Sequence, residues 1–552
     1  MNTAEEGVQV LVVGAGPSGL TMAAELARHG VSCRIVDRSS GPTTLSKATG
    51  MQARTLEVLR DMGVVEEILA AGHLSHGVNL YAPGKHLLRF TYDDLDSPYR
   101  YMLNIPQSDT EQILGRLVAR LGVRVEWDTE VTTVAQDDDG VTATVSLPGG
   151  GSETVRASWV VGCDGAHSIV RHTFDIPFAG ETYPQWFALA DAGLDWSLGD
   201  SELHGFIHPD GVFFVIPMPA GRFRLIVESA ERTGGEEPTL EDFQAALDQR
   251  GPGGATITDP GWMTSFHVNS RRAARHRAGR AFIAGDAAHV HSPAGGQGLN
   301  TSIQDSYNLA WKLALVEKGL ASPDLLDSYE AERAPVAKAV LRFTNVITKV
   351  LTLQSSVEQS IRNHVMPLLG SLHGVQHQMA TQDAELDITY RRSPVVAEHH
   401  GHGLHAGFGG GPHAGDRAPD AGPLLGADGP RGQLFDVLGG ARHTLLLFPD
   451  ARGATWPALG EVARSMEDRY PGMINVVVIA PPGGVPGDGL PQTTTVLADA
   501  EGAVAARYHA GAGGLYLVRP DGYIGYRDQP ADAGRLQAYL EALLSGALAR
   551  RR

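Results

Sequence analysis

A glycine-rich loop close to the start of the chain constrains the fold more than any other feature. The loop reads Gly14-Ala15-Gly16-Pro17-Ser18-Gly19 and lies between an apolar run at 8–13 and an Ala-rich segment at 20–28. The apolar run predicts a buried parallel strand, and the Ala-rich segment predicts a helix. The glycines therefore occupy a strand-to-helix turn, which is the context that a dinucleotide-binding loop requires.

Each glycine of this loop has a physical role in that interpretation. Gly14 makes the tight turn, Gly16 lets the backbone approach a pyrophosphate, and Gly19 lets the helix pack closely on the strand. Pro17 and Ser18 lie between these glycines, at a helix N-terminus that favours the negative charge of phosphates. We predict that all five residues bind the dinucleotide.

A second predicted strand, at 33–36, ends in Asp37-Arg38. Asp37 follows the loop at the distance expected for an acid that binds a ribose hydroxyl. Both residues are included in the predicted site. The loop and this acid leave open whether the dinucleotide is FAD or NAD.

Composition sets the broad class of the protein. The chain has 552 residues, of which 42% are hydrophobic and 20% charged, and this length allows about three globular domains. It contains no apolar run long enough to cross a bilayer, and its polar start lacks the basic and apolar regions of a signal peptide. We therefore expect a cytoplasmic protein that does not bind a membrane.

Charge and cysteine content exclude further classes. The net charge of −18 argues against a nucleic-acid surface, which needs clustered Lys and Arg. The two cysteines, Cys33 and Cys163, cannot form a disulfide framework, a Cys-x-x-Cys pair or a cysteine zinc site. No metal site is predicted.

Strand and helix patterns predict an α/β fold with several parts. Residues 1–177 and 271–395 form a Rossmann-like nucleotide-binding domain, the second part of which ends in a helical segment. Residues 178–270 are rich in short β runs broken by Gly and Pro, which predicts an inserted antiparallel substrate-binding sheet. A linker at 396–435 and a small α/β domain at 436–552 follow.

Two later motifs place an Asp beside a Gly at predicted strand ends. They are Asp164-Gly165 after the run at 160–163, and Gly285-Asp286 after the run at 281–284. Together with the segments at 292–300, 304–312 and 329–335, they resemble the motifs of class A flavoprotein aromatic hydroxylases, the family of para-hydroxybenzoate hydroxylase and phenol hydroxylase. The resemblance extends over about the first 340 residues.

This resemblance implies that the dinucleotide is FAD. Asp37 would bind the adenosine ribose, Asp286 a ribityl hydroxyl, and Gln107 the cofactor. Lys47 and Arg54 fall where the family places basic residues near the FAD phosphates or the nicotinamide, and Lys47 stands where Arg is common. The segment from Pro293 would wrap the flavin ring, and the helix after it would direct its positive end at the ring. The remaining predicted cofactor residues are Asp164, Gly285, Gly296, Gly298, Leu299 and Asn300.

The resemblance also implies a reaction. NADPH or NADH reduces FAD, O2 adds to form a flavin C4a-hydroperoxide, and one oxygen atom is transferred to a phenolic or polycyclic aromatic substrate. No catalytic base can be identified from the sequence. The inserted sheet is the expected source of the substrate pocket, with candidate walls at Phe213, Phe214, Ile216, Met218 and Phe223.

The end of the chain resembles the thioredoxin-like extension of the phenol hydroxylase branch. Without a Cys-x-x-Cys pair this extension cannot perform thiol redox chemistry. We therefore expect a structural or dimer-forming domain, and a homodimer is possible.

Three other functions stay open at this point. The first is a Baeyer–Villiger or epoxidising monooxygenase, or a flavin dehydrogenase, on the same scaffold. The second is a non-catalytic flavin-binding scaffold. The third is an NAD-dependent dehydrogenase, which would lack the yellow flavin absorbance.

Overall fold

A computed structural model describes residues 8–44, 46, 48–229, 237–292, 295–351, 353, 355–400, 409–426, 429–450, 452–483 and 489–548. Two of the predicted cofactor residues, Lys47 and Pro293, lie outside these ranges. The chain divides into two units. The N-terminal unit consists of Met1–Ala27, Ser32–Tyr307 and Ala334–Asp387, and the C-terminal unit of Arg28–Val31, Asn308–Arg333 and Ile388–Arg552.

The secondary structure is numbered in chain order. The strands are β1 Val8–Val13, β2 Cys33–Val36, β3 Gly50–Met51, β4 His73–Ser75, β5 Gly77–Ala82, β6 Lys85–Thr91, β7 Met102–Asn104, β8 Val125–Glu126, β9 Glu130–Gln136, β10 Val141–Ser146, β11 Ser152–Gly162, β12 Phe178–Asp195, β13 Leu203–His208, β14 Gly211–Met218, β15 Arg222–Ser229, β16 Thr256–Thr258, β17 Met263–Ala273, β18 Arg277–Ala278, β19 Ala281–Ile283, β20 His289–Val290, β21 Ala397–His400, β22 Leu424–Gly426, β23 Gly429–Gly432, β24 His443–Phe448, β25 Ile474–Ala480, β26 Thr495–Ala498, β27 Gly514–Val518 and β28 Ile524–Gln529. The helices are α1 Pro17–Arg28, α2 Ala53–Asp61, α3 Val65–Ala71, α4 Gln107–Arg120, α5 Ile169–Thr173, α6 Leu240–Arg250, α7 Gln297–Glu317, α8 Asp327–Leu351, α9 Ser356–Gly370, α10 His373–Asp383, α11 Trp456–Arg469, α12 Ala503–Arg507 and α13 Ala533–Leu544.

The first sheet of the N-terminal unit has the order β18-β19-β11-β1-β2-β8, and the β9–β10 hairpin extends β11. Strands β19, β11, β1, β2 and β8 are parallel. The last four residues of the central strand β1, at 10–13, are apolar and buried, as expected for a parallel strand that is covered on both faces. This arrangement confirms the predicted α/β class.

The second sheet has the order β20-β17-β12-β15-β14-β13-β5-β6, with β16 paired to β12. Helix α6 packs on one of its faces, where Phe243 and Leu247 join a core with Phe213 and Leu225. The sheet was predicted from residues 178–270, yet it also includes β5, β6 and β20. These strands join by pairing across long sequence distances, which short runs such as Lys85–Thr91 do not reveal.

A third, three-stranded sheet has the order β3-β7-β4. It is small, but β7 and β4 contact β14 of the second sheet. Of the helices within the described residues, none is both long and apolar enough to cross a membrane.

The C-terminal unit is built on one eight-stranded sheet, ordered β21-β28-β27-β24-β25-β26-β22-β23. Helices α11 and α13 cover one face with Leu459, Val462 and Leu540. The segment 396–435, which we predicted to be a linker, contributes β21, β22 and β23 to this sheet. The Gly, Pro and His content of this segment is typical of a loop, and its short strands can be identified only from the strands with which they pair. The likeness to thioredoxin stays a prediction.

A buried ionic cluster lies inside the C-terminal unit. The Glu332 carboxylate accepts two hydrogen bonds from Arg519, at 2.6 and 2.9 Å, and one from Lys312 at 2.8 Å. Asn308 and Ser393 also donate to it, at 2.7 and 2.6 Å. Burial would raise the pKa of Glu332, but the two cations hold that pKa below its ordinary range. The cluster thus joins Asn308 and Lys312 of one motif segment and Glu332 of the other to Arg519.

We expect Glu332→Gln to destabilise the C-terminal unit by about 3 kcal/mol or more, because it leaves two buried cations undercompensated. Thermal denaturation measured by circular dichroism checks this. The matched control is Glu541→Gln on α13, where the exposed Glu541 bonds only Gln537 and a change within about 0.5 kcal/mol is expected. Equal melting temperatures for the two variants would contradict a stabilising role for the cluster.

Candidate functional site

The predicted cofactor residues gather at one edge of the first sheet. The parallel strands β1, β2, β11 and β19 end at Val13, Val36, Gly162 and Ile283. Since the carboxyl ends of parallel strands meet at the same edge, the residues that follow them share one crevice. The structure thus brings together the glycine loop, Asp37, Asp164 and the Gly285-Asp286 turn.

The three loop glycines have different surroundings. A Cβ added to Gly14 would lie 2.4 Å from the Cys163 carbonyl oxygen, and one added to Gly19 would lie 1.8 Å from the Gly14 oxygen. Gly16, in contrast, has open space beside it, since among the described residues other than its chain neighbours no atom lies within 4 Å of an added Cβ. Gly14 and Gly19 therefore serve close packing, whereas Gly16 leaves room for a ligand next to the first turn of α1, which begins at Pro17.

Asp37 is anchored to the glycine loop. Its Oδ2 accepts a hydrogen bond from the Ala15 backbone N–H at 2.6 Å, and its Oδ1 accepts one from Ser39 at 2.8 Å. An ionised carboxylate has about four acceptor positions, so it can still bind a ribose hydroxyl. The neighbouring Arg38 is exposed.

Asp164 offers an acceptor at the same edge. Its Oδ2 accepts from the backbone of Ile169 at 2.7 Å, while Oδ1 is buried and has no partner within the described residues. Burial raises the pKa of Asp164. An unpaired buried acceptor is costly, and a donor on a bound cofactor would satisfy it.

The Gly285-Asp286 turn is fixed by a residue that sequence reasoning missed. Gly285 has φ +61°, and an added Cβ would lie 2.9 Å from Ser302 Oγ and 3.2 Å from Ser18 Cβ. Its N–H donates to Asp305 Oδ2 at 3.1 Å, which also bonds His289 Nε2 at 2.7 Å. Asp305 lies inside α7, so nothing local in the sequence indicates this role. Asp286 itself is exposed at the crevice.

The loop before α7 is tied to β3 by Asn300. The Asn300 amide donates to Gly296 O at 2.7 Å and to Gly50 O at 2.9 Å, and its oxygen accepts from Gln52 N at 2.8 Å. Its side chain therefore holds the loop itself. Direct contact of Asn300 with FAD stays a prediction.

Gly298 and the half-buried Leu299 lie in the first turn of α7. A Cβ on Gly298 would be 3.5 Å from the ring of His291, whose pKa burial lowers to about 4. The imidazole is therefore neutral at pH 7. The first turn of α7 provides a second helix N-terminus at this site.

Two other predicted residues have partners in the protein. Gln107 accepts from Ala48 N at 3.3 Å and donates to Glu111 at 2.9 Å, which holds it beside the segment that contains Lys47. Arg54 is buried and its Nη1 lies 3.0 Å from Glu57 Oε2. Its charge is compensated within α2, a partner that spacing alone did not indicate.

The candidate pocket residues lie on two different faces of the second sheet. Phe213 and Phe223 pack into the core under α6, so they are not free to line a pocket, contrary to our expectation. Alternation along β14 places Phe214, Ile216 and Met218 on the opposite face. Helix α6 covers the first face, and β14 also contacts β4 and β7.

These features fit FAD. The crevice has two helix N-termini for negative charge, an open approach at Gly16, carboxylates at three strand ends and an unpaired acceptor at Asp164. No cluster of three or more His, Cys, Asp or Glu side chains suited to a metal ion occurs in the part of the chain that the structure describes.

We expect Gly16→Ala to weaken FAD binding at least tenfold without unfolding the protein, because the methyl group enters the ligand space. Gly19→Ala is the contrasting variant, since its methyl group would collide with the Gly14 carbonyl and destabilise the first sheet. FAD fluorescence titration and the melting temperature of the apoprotein separate the two effects. Wild-type FAD affinity in Gly16→Ala would contradict the assignment of this space.

Comparison with known proteins agrees with this geometry. The family model described as "FAD binding domain" matches residues 7–344. The chain is 34% identical over 549 residues to 6-methylpretetramide 4-monooxygenase of Streptomyces rimosus, covering 98% of this chain and 94% of that one. It is also 34% identical over 534 residues to pentachlorophenol 4-monooxygenase of Sphingobium chlorophenolicum, covering 93% of each.

A solved structure extends the likeness to the whole fold. The ternary complex of aklavinone-11 hydroxylase with FAD and aklavinone superposes with a TM-score of 0.75 at 27% identity, over 99% of this chain and 100% of that chain. The family match confirms the prediction that the dinucleotide is FAD. This chain therefore belongs to the class A flavoprotein aromatic hydroxylases, which are FAD-dependent monooxygenases.

Proposed function

We propose that this enzyme uses NADPH or NADH and O2 to hydroxylate a phenolic or polycyclic aromatic substrate bound on the free face of β14. The observation that carries this proposal is the face of β14 with Phe214 and Ile216, on a strand that contacts β7. The ion pair of Arg224 and Asp191, at 2.8 Å, lies beside Ile216 on that face. Met102 of β7 in turn lies against Gly50, beside the loop that precedes α7. Relatives named for 6-methylpretetramide and pentachlorophenol support an aromatic substrate.

When bound, FAD supplies the electron transfer and the activation of O2. The residues of the chain hold, orient and shield the reacting groups. The first turn of α7 presents backbone N–H groups that lack partners within the helix, and these would stabilise negative charge on a bound flavin ring. The buried Met102 of β7, with Phe214 and Ile216 of β14, is suited to excluding water from the space between the sheets.

The C-terminal unit is proposed to act without thiol chemistry. Both cysteines of the chain, Cys33 and Cys163, belong to the N-terminal unit. A structural or dimer-forming role is consistent with this. The need for reduced nicotinamide favours the cytoplasm as the location of the enzyme.

The test of this function is a panel of phenols and polycyclic quinones scored by substrate-stimulated oxidation of NADPH and NADH. We expect at least one compound to accelerate oxidation about tenfold or more, because a positioned substrate promotes the productive cycle. Mass spectrometry under oxygen-18 gas should show one labelled oxygen atom on the ring. A product without label would indicate a dehydrogenase, and label in an expanded lactone ring would indicate a Baeyer–Villiger enzyme.

The two faces of β14 give a matched pair of variants. Phe214→Ala should lower kcat/KM for the aromatic substrate about tenfold, since it removes one wall of the pocket, and leave the melting temperature nearly unchanged. Phe213→Ala should cost about 3 kcal/mol of stability because it opens a cavity under α6. Steady-state kinetics and thermal denaturation of both variants check this. The reverse result would place the substrate on the α6 face.

A further inference from the structure

Four consecutive residues at the end of α10, 382–385, each bind a different part of the cofactor site. We call this segment the clasp. Its bonds are Gln297 Nε2 to Gln382 O at 3.2 Å, Gln52 Nε2 to Asp383 Oδ2 at 3.4 Å, Arg54 N to Ala384 O at 3.2 Å, and Thr301 Oγ1 to Glu385 Oε1 at 3.1 Å. Gln304 also donates to Glu385, at 2.5 Å. The clasp therefore contacts α2, α7 and the residue before α2 together.

The backbone of the clasp is held in an unusual conformation. Glu385 has φ +57°, in the left-handed region that non-glycine residues seldom adopt. Its side chain is 2% exposed, and it accepts hydrogen bonds from two turns of α7. A residue in this strained conformation persists only where many surrounding contacts hold it, and such residues cluster at functional sites.

Asp383 is the buried acid at the centre of the clasp. Its Oδ2 accepts a hydrogen bond from Tyr92 OH at 2.7 Å in addition to the one from Gln52. No Lys, Arg or His forms an ion pair with it within the described ranges, and burial raises its pKa to about 6. A carboxyl group in this setting contributes little to stability. We therefore look for its role in the orientation of a neighbouring group.

The group that Asp383 orients is the Gln52 amide. Gln52 Nε2 also donates to the Gly295 carbonyl oxygen at 3.1 Å. This nitrogen also donates to Met102 Sδ at 3.6 Å. All three partners accept, so together they determine which end of the amide faces them. The Gln52 oxygen is left buried and unpaired in the described structure, and a neutral amide in place of Asp383 would weaken this orientation because it could donate as well as accept.

We propose that Asp383 is a positioning residue for the flavin, acting through Gln52 to fix the Gly295–Gln297 segment against which the ring of bound FAD would lie. The inference rests on the proposed function of that segment. A Cβ on Gly295 would be 3.4 Å from Asp383 Oδ1, and Gly295 has φ +86°, so the segment and the carboxyl group are in contact as well as bridged. Displacement of the segment would change the surroundings of the ring without removing any residue that binds it.

The experiment uses the FAD-loaded holoenzyme and three variants: Asp383→Asn, Gln52→Ala and the double variant. Asp383→Asn preserves shape but provides a donor as well as an acceptor, so the Gln52 amide is held less firmly in its orientation. We expect an altered visible absorption band of bound FAD and an about tenfold slower reduction by NADPH, with the melting temperature preserved. Because Asp383 acts through Gln52, the double variant should be no more impaired than Gln52→Ala alone.

The matched control is Asp94→Asn. Asp94 bonds His373 at 3.1 Å at the opposite end of α10, where both side chains are exposed, and wild-type spectra are expected. Wild-type spectra in Asp383→Asn and Gln52→Ala, or effects that multiply in the double variant, would overturn the proposal. If Asp383→Asn does not fold, Gln52→Ala decides by the same spectrum. The spectrum needs no aromatic substrate, so a failure of the proposed hydroxylation would be seen separately.

Discussion

The parallel pairing of β1 between β2 and β11 is the constraint on which the rest of the cofactor site depends. In this register Val13 is paired with both Val36 and Gly162, so the three strands end side by side. The Gly14 position then has the Cys163 carbonyl so close that no side chain fits. These two strand pairings thus place the loop, Asp37 and Asp164 at one crevice, and α1 begins at Pro17 beside it.

Features that depend on neighbours in the sequence were predictable. The strand at 8–13, the strand at 33–36 and the acid after it are all found as expected, because apolar runs, glycines and strand ends act over a few residues. The face that a strand residue presents could not be predicted. Phe213 and Phe214 differ by one position, and only the location of α6 determines which of them lies in the core.

Contacts between residues that are far apart in the chain could not be predicted from the sequence either. Gln52 and Asp383 are separated by 331 positions, and Gln52 and Asn300 by 248. No periodicity or spacing links such residues. The family motifs at 304–312 and 329–335 carry part of the resemblance to the hydroxylases, and Asn308, Lys312 and Glu332 within them form the buried cluster of the C-terminal unit. A motif can therefore combine a residue that fixes the cofactor site, such as Asp305, with one that belongs to the cluster, such as Asn308.

The two buried acids Glu332 and Asp383 show how a residue that stabilises the fold can be distinguished from one that positions another group. Both are fully enclosed, yet the pKa of Glu332 is lowered whereas that of Asp383 is raised to about 6. Arg519 and Lys312 compensate the charge of Glu332, and removal of either cation would leave a buried charge, so that cluster stabilises its unit. Asp383 has a phenol and an amide as partners, which orient it without neutralising it. A fold that needed only stability at that position would favour an apolar or neutral side chain. An acid that costs stability and fixes the amide next to the Gly295 segment is better explained by the geometry it imposes on the active site.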